Sequence, residues 1–341
     1  MTKLKRLLPV LLVVLLLTVS FSALAQEPKE GGHLRIAMPG QSEPALLDAQ
    51  FDPYWSAWLV SSLTADNLVF RNFEGKITGH LAKSWEVSDD GLTWTFEIRE
   101  GVTFHDGTKL DAEAVAYNFR RVLDPDHPSQ TQSELDSIES VEVVDDYTLN
   151  VNMSEPFPMF LDSLSKGILP IWSPDALEEY GQEEFSEHLV GSGPFMLEDW
   201  VPMSHVTLVK NPDYNWAPPA VDRNGPPYLD KVTLKWVKEK SVRGQIMTTG
   251  DVDVVQGLPV DFLGLYEGKP QYNTMMRTQP GTGHQYVMNT TEKSPFNDIR
   301  VRKAILHTVD QEGILEQCTH SRISRQREHR AGKSQPAGRF Y

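Results

Sequence analysis

The chain has 341 residues and a formal charge of −15, from 32 Lys and Arg against 47 Asp and Glu. The first 25 residues hold three basic and no acidic groups and residues 318–341 hold six basic and one acidic, which leaves 23 basic against 46 acidic in residues 26–317, a balance that repels nucleic acid and anionic membrane. With one cysteine, Cys318, the chain has no internal disulfide and no multi-thiolate zinc site, so an exported protein of this kind must rely on a large apolar core.

Residues 1–25 read as a secretory signal. Lys3, Lys5 and Arg6 precede the apolar LLPVLLVVLLLTV, and Ala23-Leu24-Ala25 offers a small-x-small cleavage site. The apolar run is short for a membrane span, and the polar QEPKEGG follows at once. No cysteine stands after the cleavage site, so a lipid anchor is not expected. The mature chain is expected to start near Gln26 and to be soluble outside the cytoplasm.

HLRIAM reads as a strand, followed by a two-proline loop. YWSAWLVSSLTADNLVF reads as an amphipathic helix with Trp55, Trp58, Leu59, Leu63 and Asn67 on its apolar face. Trp85 and Val87, then Trp94, Phe96 and Ile98, alternate around Asp89-Asp90-Gly91, the pattern of a β-hairpin. A turn at His105-Asp106-Gly107 leads to Asp111, a good N-cap for AEAVAYNFRRVL, which Pro125 ends. SVEVVDDYTLNVNM gives a second hairpin turning at Asp145-Asp146. SPDALEEYG is a short helix with Ser173 as cap, Pro174 in its first turn and Gly181 past its end.

GSGPFMLEDW is a Gly-rich turn into a strand, and HVTLVK and KVTLKWV are further strands. SVRGQIMTTGDVDVV reads as a helix, a Gly stop and a buried strand. GHQYVMNT predicts a strand, and PFNDIRVRKAILHTVD a helix with Val301, Ile305 and Val309 at spacing four. After GILEQ the apolar pattern stops. The whole is a mixed α/β pattern, with hairpins clustered between about residues 75 and 155 and αβ alternation after them.

Four blocks carry a resemblance. LAKSWEVSDDGLTWTFEIREGVTFHDGTKLDAEAVAYNFRRVLDP, GSGPF, VKNPDYNW, and PFNDIRVRKAILHTVDQEGI together with Asn289 stand in the order found in the periplasmic solute-binding proteins of peptide and nickel ABC transporters, extracellular family 5. The chain departs from the family pattern at Ser192, where Thr is usual, and at Asn215, inserted between Tyr214 and Trp216.

The resemblance implies an α/β, periplasmic-binding-protein-like bilobal fold of class II type, with an extra hairpin-rich subdomain. It implies residues 26–70 and 190–280 for lobe I, 71–189 for the inserted subdomain and 281–317 for the start of lobe II, with the second lobe incomplete. Because the resemblance is expected to stop near Gln317, where the charge changes sign, residues 318–341 are expected to be an aberrant basic tail from a shifted reading frame. Open alternatives are a non-functional truncation product and, more distantly, a secreted hydrolase.

By resemblance the ligand is an oligopeptide or dipeptide, with nickel chelates, opines and oligosaccharides as alternatives on the same scaffold. An ABC permease and ATPase are implied partners; a monomer is expected, and no cofactor is implied. A receptor can pair a peptide backbone as an added strand while side chains sit in wet pockets. The expected ligand side comprises Met38, Pro39, Gly40 and Gln41 after the first strand, Tyr54 and Trp55, the turn Gly191-Ser192-Gly193, and Tyr286, Met288 and Asn289 on a crossing strand, with ordinary turn chemistry as the competing reading. The other tryptophans are expected in the core.

Enzyme signals are weak. Ser192 lacks the first glycine of a G-x-S-x-G elbow. The acid pairs Asp89/Asp90, Asp145/Asp146 and Glu183/Glu184 fall at turns or a helix end, and His105 and His284 have no metal spacing.

Overall fold

The computed structural model describes residues 28–40, 43–221, 223–275 and 288–310. The chain divides into two compact units, residues 1–259 and 260–341. The expected boundary at Gly281 falls inside the second of these.

The first unit is built on two sheets. In the larger, β1 (His33–Pro39) lies between two parallel neighbours, β10 (Lys231–Val237) and β11 (Val254–Val255). β9 (His205–Lys210) and β8 (Phe195–Val201) extend it antiparallel, for the order β11-β1-β10-β9-β8. Strand alternation sorts the residues by face. Leu34, Ile36, Met38, Val206, Leu208, Val232, Leu234 and Trp236 join one apolar cluster. Alternate positions on the same strands, among them His33, Arg35, Thr207, Thr233 and Lys235, are polar.

The smaller sheet is the pair of expected hairpins: β4 (Ala82–Val87), β5 (Thr93–Ile98), β6 (Ile138–Asp145) and β7 (Thr148–Met153), all antiparallel in the order β4-β5-β7-β6. Gly91 takes a φ of +74° in the first turn, and Asp145 caps the second by accepting from the Tyr147 amide at 2.9 Å. A short ribbon, β2 (Val69–Arg71) and β3 (Ile77–Gly79), precedes it. Asp111 caps the helix Ala112–Val122 by accepting from the Ala114 amide at 3.0 Å. Val115, Phe119 and Val122 of that helix meet Phe96, Leu149 and Val151 in a second apolar cluster. Phe160 closes it edge-on against Trp94, with ring centroids 5.4 Å apart.

Three local readings change. The helix α1 runs Trp55–Thr64, short of Asn67, and fully buries Ser56, Ala57, Val60, Ser61 and Thr64, while Trp55, Leu59 and Leu63 of the expected apolar face pack only partly against the larger sheet's cluster. Trp58 keeps 39% of its surface. The small residues win because backbone lies against them: a Cβ on Gly191 would stand 2.2 Å from the Thr64 carbonyl oxygen, and one on Gly193 would stand 2.5 Å from the Thr64 carbonyl carbon. Gly181 does not follow the helix Pro174–Glu184 but kinks it, with φ 64° and ψ −179°. The strand expected in GDVDVV is only Val254–Val255, on the sheet edge, and neither residue is buried.

Trp172, Ala176, Leu177, Phe185 and Leu189 pack into the cluster of the larger sheet. The two clusters meet at Asp66, which is 4% exposed. Its Oδ2 accepts from Ser192 Oγ at 3.0 Å and from Trp216 Nε1 at 2.9 Å, and its Oδ1 lies 3.4 Å from the Tyr214 hydroxyl and 3.4 Å from His80 Nε2. His105 braces the same turn: its Nε2 bonds the Gly193 carbonyl at 3.0 Å, and its backbone amide donates to the Gly191 carbonyl at 2.8 Å. Burial holds both imidazoles, His80 and His105, below their ordinary value, outweighing the pull of Asp66. Burial, then the Asp66 charge, pushes the Tyr214 phenol far up, so it stays a donor.

The second unit has a 3₁₀ turn at Val260–Leu265 and an edge-on pair, Tyr266 and Tyr272, at 5.0 Å. Its helix Ile299–Thr308 is the one expected, capped by Asp298, which accepts from the Arg300 amide at 2.8 Å. Most of the expected GHQYVMNT strand, and the tail 318–341, lie outside the described residues.

Gly193→Ala is expected to cost about 2–3 kcal/mol, because the new Cβ meets backbone that cannot step aside. Gly107→Ala, at φ +86° with open space around it, should cost only about 1 kcal/mol of left-handed strain. Urea denaturation of both variants checks the ranking, and equal losses would refute the close approach. Asp66→Ala strands at least two buried donors and should lose at least ~3 kcal/mol.

The two buried imidazoles also set an acid limit. The unfolded chain takes up protons near pH 6.5, the ordinary histidine value, and the folded chain does not until lower pH. Stability is therefore full above that value and is lost as pH falls through the lowered folded values, by up to about 1.4 kcal/mol per pH unit for each imidazole. Denaturation midpoints between pH 8 and 5 check this, and His105→Gln should flatten the acid side of the curve.

Candidate functional site

In an open sheet with parallel strands, ligands collect at the carboxyl edge where connections leave in opposite directions. β1 has parallel neighbours on both sides, so that edge is the rim formed by Pro39-Gly40, Val237-Lys238 and Val255-Gln256-Gly257. The chain leaves β1 into the loop toward α1, and leaves β10 into the short helix Lys240–Gln245 on its way to β11.

The rim is drawn tight by glycines and one arginine. A Cβ on Gly40 would stand 2.1 Å from Lys238 Cγ and 2.6 Å from its Cα, so only glycine lets these strand ends touch. Gly257, at φ +60°, lies against Pro39, where a Cβ would be 2.9 Å from Cγ. The Gln256 amide donates to the Ala37 carbonyl at 2.9 Å. Arg243, 3% exposed, donates through Nη1 to the Val237 carbonyl at 2.7 Å and through Nε to the Gly257 carbonyl at 3.2 Å. It thus ties together the two loops that flank β1. Beside them Met203 takes φ +63° in the β8–β9 turn and donates its amide to Glu43 Oε1, while Lys238 Nζ lies 3.6 Å from Met203 Sδ.

The residues expected at the ligand side are distributed unevenly. Pro39 and Gly40 stand on the rim. Met38 is fully buried in the apolar cluster below it. Tyr54 is 67% exposed at the start of α1, and Trp55 beside it packs partly against the same cluster. Gly191, Ser192 and Gly193 are buried, and their polar groups are spent on Asp66, Thr64 and His105. Met288 is half-buried and Asn289 exposed in the second unit, where Asn289 Oδ1 accepts from the Thr291 amide at 3.0 Å. Gln41 and Tyr286 lie outside the described residues.

Sequence reading missed Lys238, Arg243 and Gly257. Arg243 sits in an unremarkable helix, and only the two carbonyls it meets give it meaning. Gly257 precedes a proline-bearing loop and carried a turn signal that was not used. A second buried polar group, Arg121 with Asp48 at 2.7 Å and Gln50 at 2.6 Å, joins the helix Ala112–Val122 to the loop before α1, and its partners are all internal. Among the described residues no group of three His, Cys, Asp or Glu is placed to hold a metal, and no helix is long and apolar enough to cross a membrane.

Comparison with known proteins places this architecture. The family described as bacterial extracellular solute-binding proteins, family 5 Middle, matches residues 76–328, which runs past Gln317, where the resemblance was expected to stop. The glutathione-binding protein GsiB of Escherichia coli O1:K1 / APEC is 32% identical over 244 residues, 71% of this chain and 46% of the relative. The chain thus spans just under half the length of the curated relatives it matches. Among solved structures, the periplasmic binding protein MoaA from A. tumefaciens R10, in complex with mannopinic acid, is 28% identical with a TM-score of 0.69, over 84% of this chain and 57% of that one. The periplasmic binding protein DppA from Helicobacter pylori, in complex with the peptide STSA, is 27% identical with a TM-score of 0.63, over 71% and 50%. The fold is therefore the mixed α/β fold of periplasmic binding proteins, and the chain belongs to the bacterial extracellular solute-binding proteins, family 5.

Proposed function

We propose that this chain is the receptor part of an ABC importer, working in the periplasm after removal of residues 1–25, and that it hands a peptide or other small solute to a membrane permease driven by an ATPase. The observation that carries this reading is the rim at the carboxyl edge of β1, β10 and β11: an open switch point, braced from below, on a family 5 scaffold. Among its described residues the edge carries no nucleophile with a neighbouring base, which suits binding and release. The relatives' ligands, glutathione for one and the peptide STSA for another, support peptides as the solute class, and the mannopinic acid complex supports sugar-derived acids beside them.

In this reading Pro39, Gly40, Gln41, Tyr54 and Trp55 face the solute from the first unit. Gly191, Ser192 and Gly193 support that surface from behind. Tyr286, Met288 and Asn289 are also assigned to solute binding, in the second lobe that begins with residues 281–317. Residues 26–70 and 190–280 form lobe I, and residues 71–189 the inserted subdomain, with the stretch after Trp172 packed onto the lobe I sheet. The chain acts as a monomer.

The test is a panel of dipeptides, oligopeptides and small acids added to the purified chain, with the thermal midpoint and the integrity of each solute followed together. A bound solute at a hundred times its dissociation constant should stabilise the chain by about 2.7 kcal/mol, and the solute should be recovered unchanged. Cleavage of a peptide that follows the protein through purification would sink the receptor reading in favour of a hydrolase.

A further inference from the structure

The rim departs in charge from the rest of the chain. Residues 231–243 carry five basic groups and one acid, on a body with twice as many acids as bases. Lys231 is spent on Glu198 at 2.6 Å. Lys235, Lys238, Lys240 and Arg243 have no ion pair among the described residues. Arg243 is the telling member. Arg243 is 3% exposed, yet its two partners are carbonyls, which engage two of its N–H donors and leave its charge unpaired.

A groove of about 580 Å³ opens beside these cations on the polar face of the larger sheet. Lys235 lines it, together with His205, Thr207 and Thr233. The two threonines are 8% and 5% exposed, with hydroxyls 3.3 Å apart, and His33 Nε2 meets Thr233 Oγ1 at 2.8 Å. Lys238 reaches the groove through Met203, and Arg243 through the Val237 carbonyl; both Met203 and Val237 line it. The acids nearby are engaged or outward: Asp199 pairs with His205 at 2.9 Å, Glu43 accepts from the Met203 amide, and Glu239 is exposed.

A concave surface with hydroxyl donors and a surplus of unpaired cations favours an anion over a neutral group. We infer that the rim selects a solute bearing carboxylates, and that one carboxylate sits in the groove between Lys235 and Lys238, within reach of the Thr233 hydroxyl. This rests on the receptor reading and names its solute class: a small organic acid or an acidic peptide rather than a neutral or cationic solute. Lys235 and Lys238 are then specificity-determining residues, and Arg243 a positioning residue that holds the two loops and adds its charge from behind.

The experiment is calorimetric titration of the full chain with succinate and with succinamide, its uncharged diamide. Succinate should bind saturably, and succinamide roughly ten-fold more weakly or worse. Lys235→Gln and Lys238→Gln should each weaken succinate by roughly five-fold without moving the thermal midpoint, because neither side chain is buried. Lys76→Gln, in the β2–β3 turn, should change nothing. Equal affinity for succinamide would overturn the inference, as would a loss in Lys76→Gln equal to that in Lys238→Gln, which would mean diffuse charge and no site. If a neutral solute of the panel binds and succinate does not, the carboxylate site fails and the receptor reading stands. If nothing binds, succinate included, both fail.

Discussion

The carboxylate of Asp66 accepts from Ser192 and Trp216, with the Tyr214 hydroxyl against its other oxygen, in a space closed to water. These partners come from the glycine turn before β8 and the loop after β9. The carboxylate itself comes from the end of α1. Three segments far apart in sequence are thus required to meet at one point, because each buried donor left without its acceptor would cost about 1–3 kcal/mol. The two apolar clusters are non-directional and would tolerate some sliding past one another. The carboxylate does not tolerate it, since its bonds have fixed lengths and directions.

That constraint reaches the rim through α1 and β8. Once the turn at residues 191–193 is locked on Thr64, β8 enters the sheet with its register set, β9 and then β10 follow by antiparallel pairing, and β1 joins β10 in parallel. The carboxyl ends of β1 and β10 arrive together, close enough that Gly40 has no room for a Cβ. Arg243 then fastens the loop after β10 to the loop after β11. Every residue of the rim is therefore held by sheet or by buried hydrogen bonds. The loop toward α1 is held as well, by Arg121 on Asp48 and Gln50, and Tyr54 at its end stands exposed.

The elements with strong local chemistry were legible in the sequence. Asp-Asp-Gly between alternating residues gave the first hairpin, Asp111 and Ser173 gave the starts of two helices, and KVTLKWV gave β10. What failed had a common cause. The apolar face of α1 is only partly covered, through Trp55, Leu59 and Leu63, because glycines from another segment bring backbone against the end of its small face. The edge strand β11 looked buried because GDVDVV is apolar in alternation, and only the sheet order leaves it outermost. Asp66 carried no signal at all: it lies in a run read as helix, and its hydrogen-bond donors Ser192, Tyr214 and Trp216 stand more than a hundred residues away. In the sequence the GSGPF and VKNPDYNW blocks are separate marks of a family, and the structure shows one reason for both, since Ser192 and Trp216 serve the same carboxylate. The site was half legible on the same terms. Gly40 follows a strand and reads as a close approach, whereas Lys238 and Arg243 acquire a role only from what faces them.

Charge supplies the last constraint. A chain at −15 presents an acidic far field, which on its own would turn an anionic solute away. At physiological ionic strength that field fades over about 8 Å, so a solute beyond this distance experiences little of it. Within it, the solute meets whichever charges are nearest and least hydrated. At the rim those are Lys235, Lys238 and the buried Arg243, against acids already bound to His205 and to the Met203 amide. In the receptor reading, solubility and ligand choice are thereby separated in space: the surface as a whole stays acidic and self-repelling, while a few cations without ion pairs among the described residues favour an anionic solute.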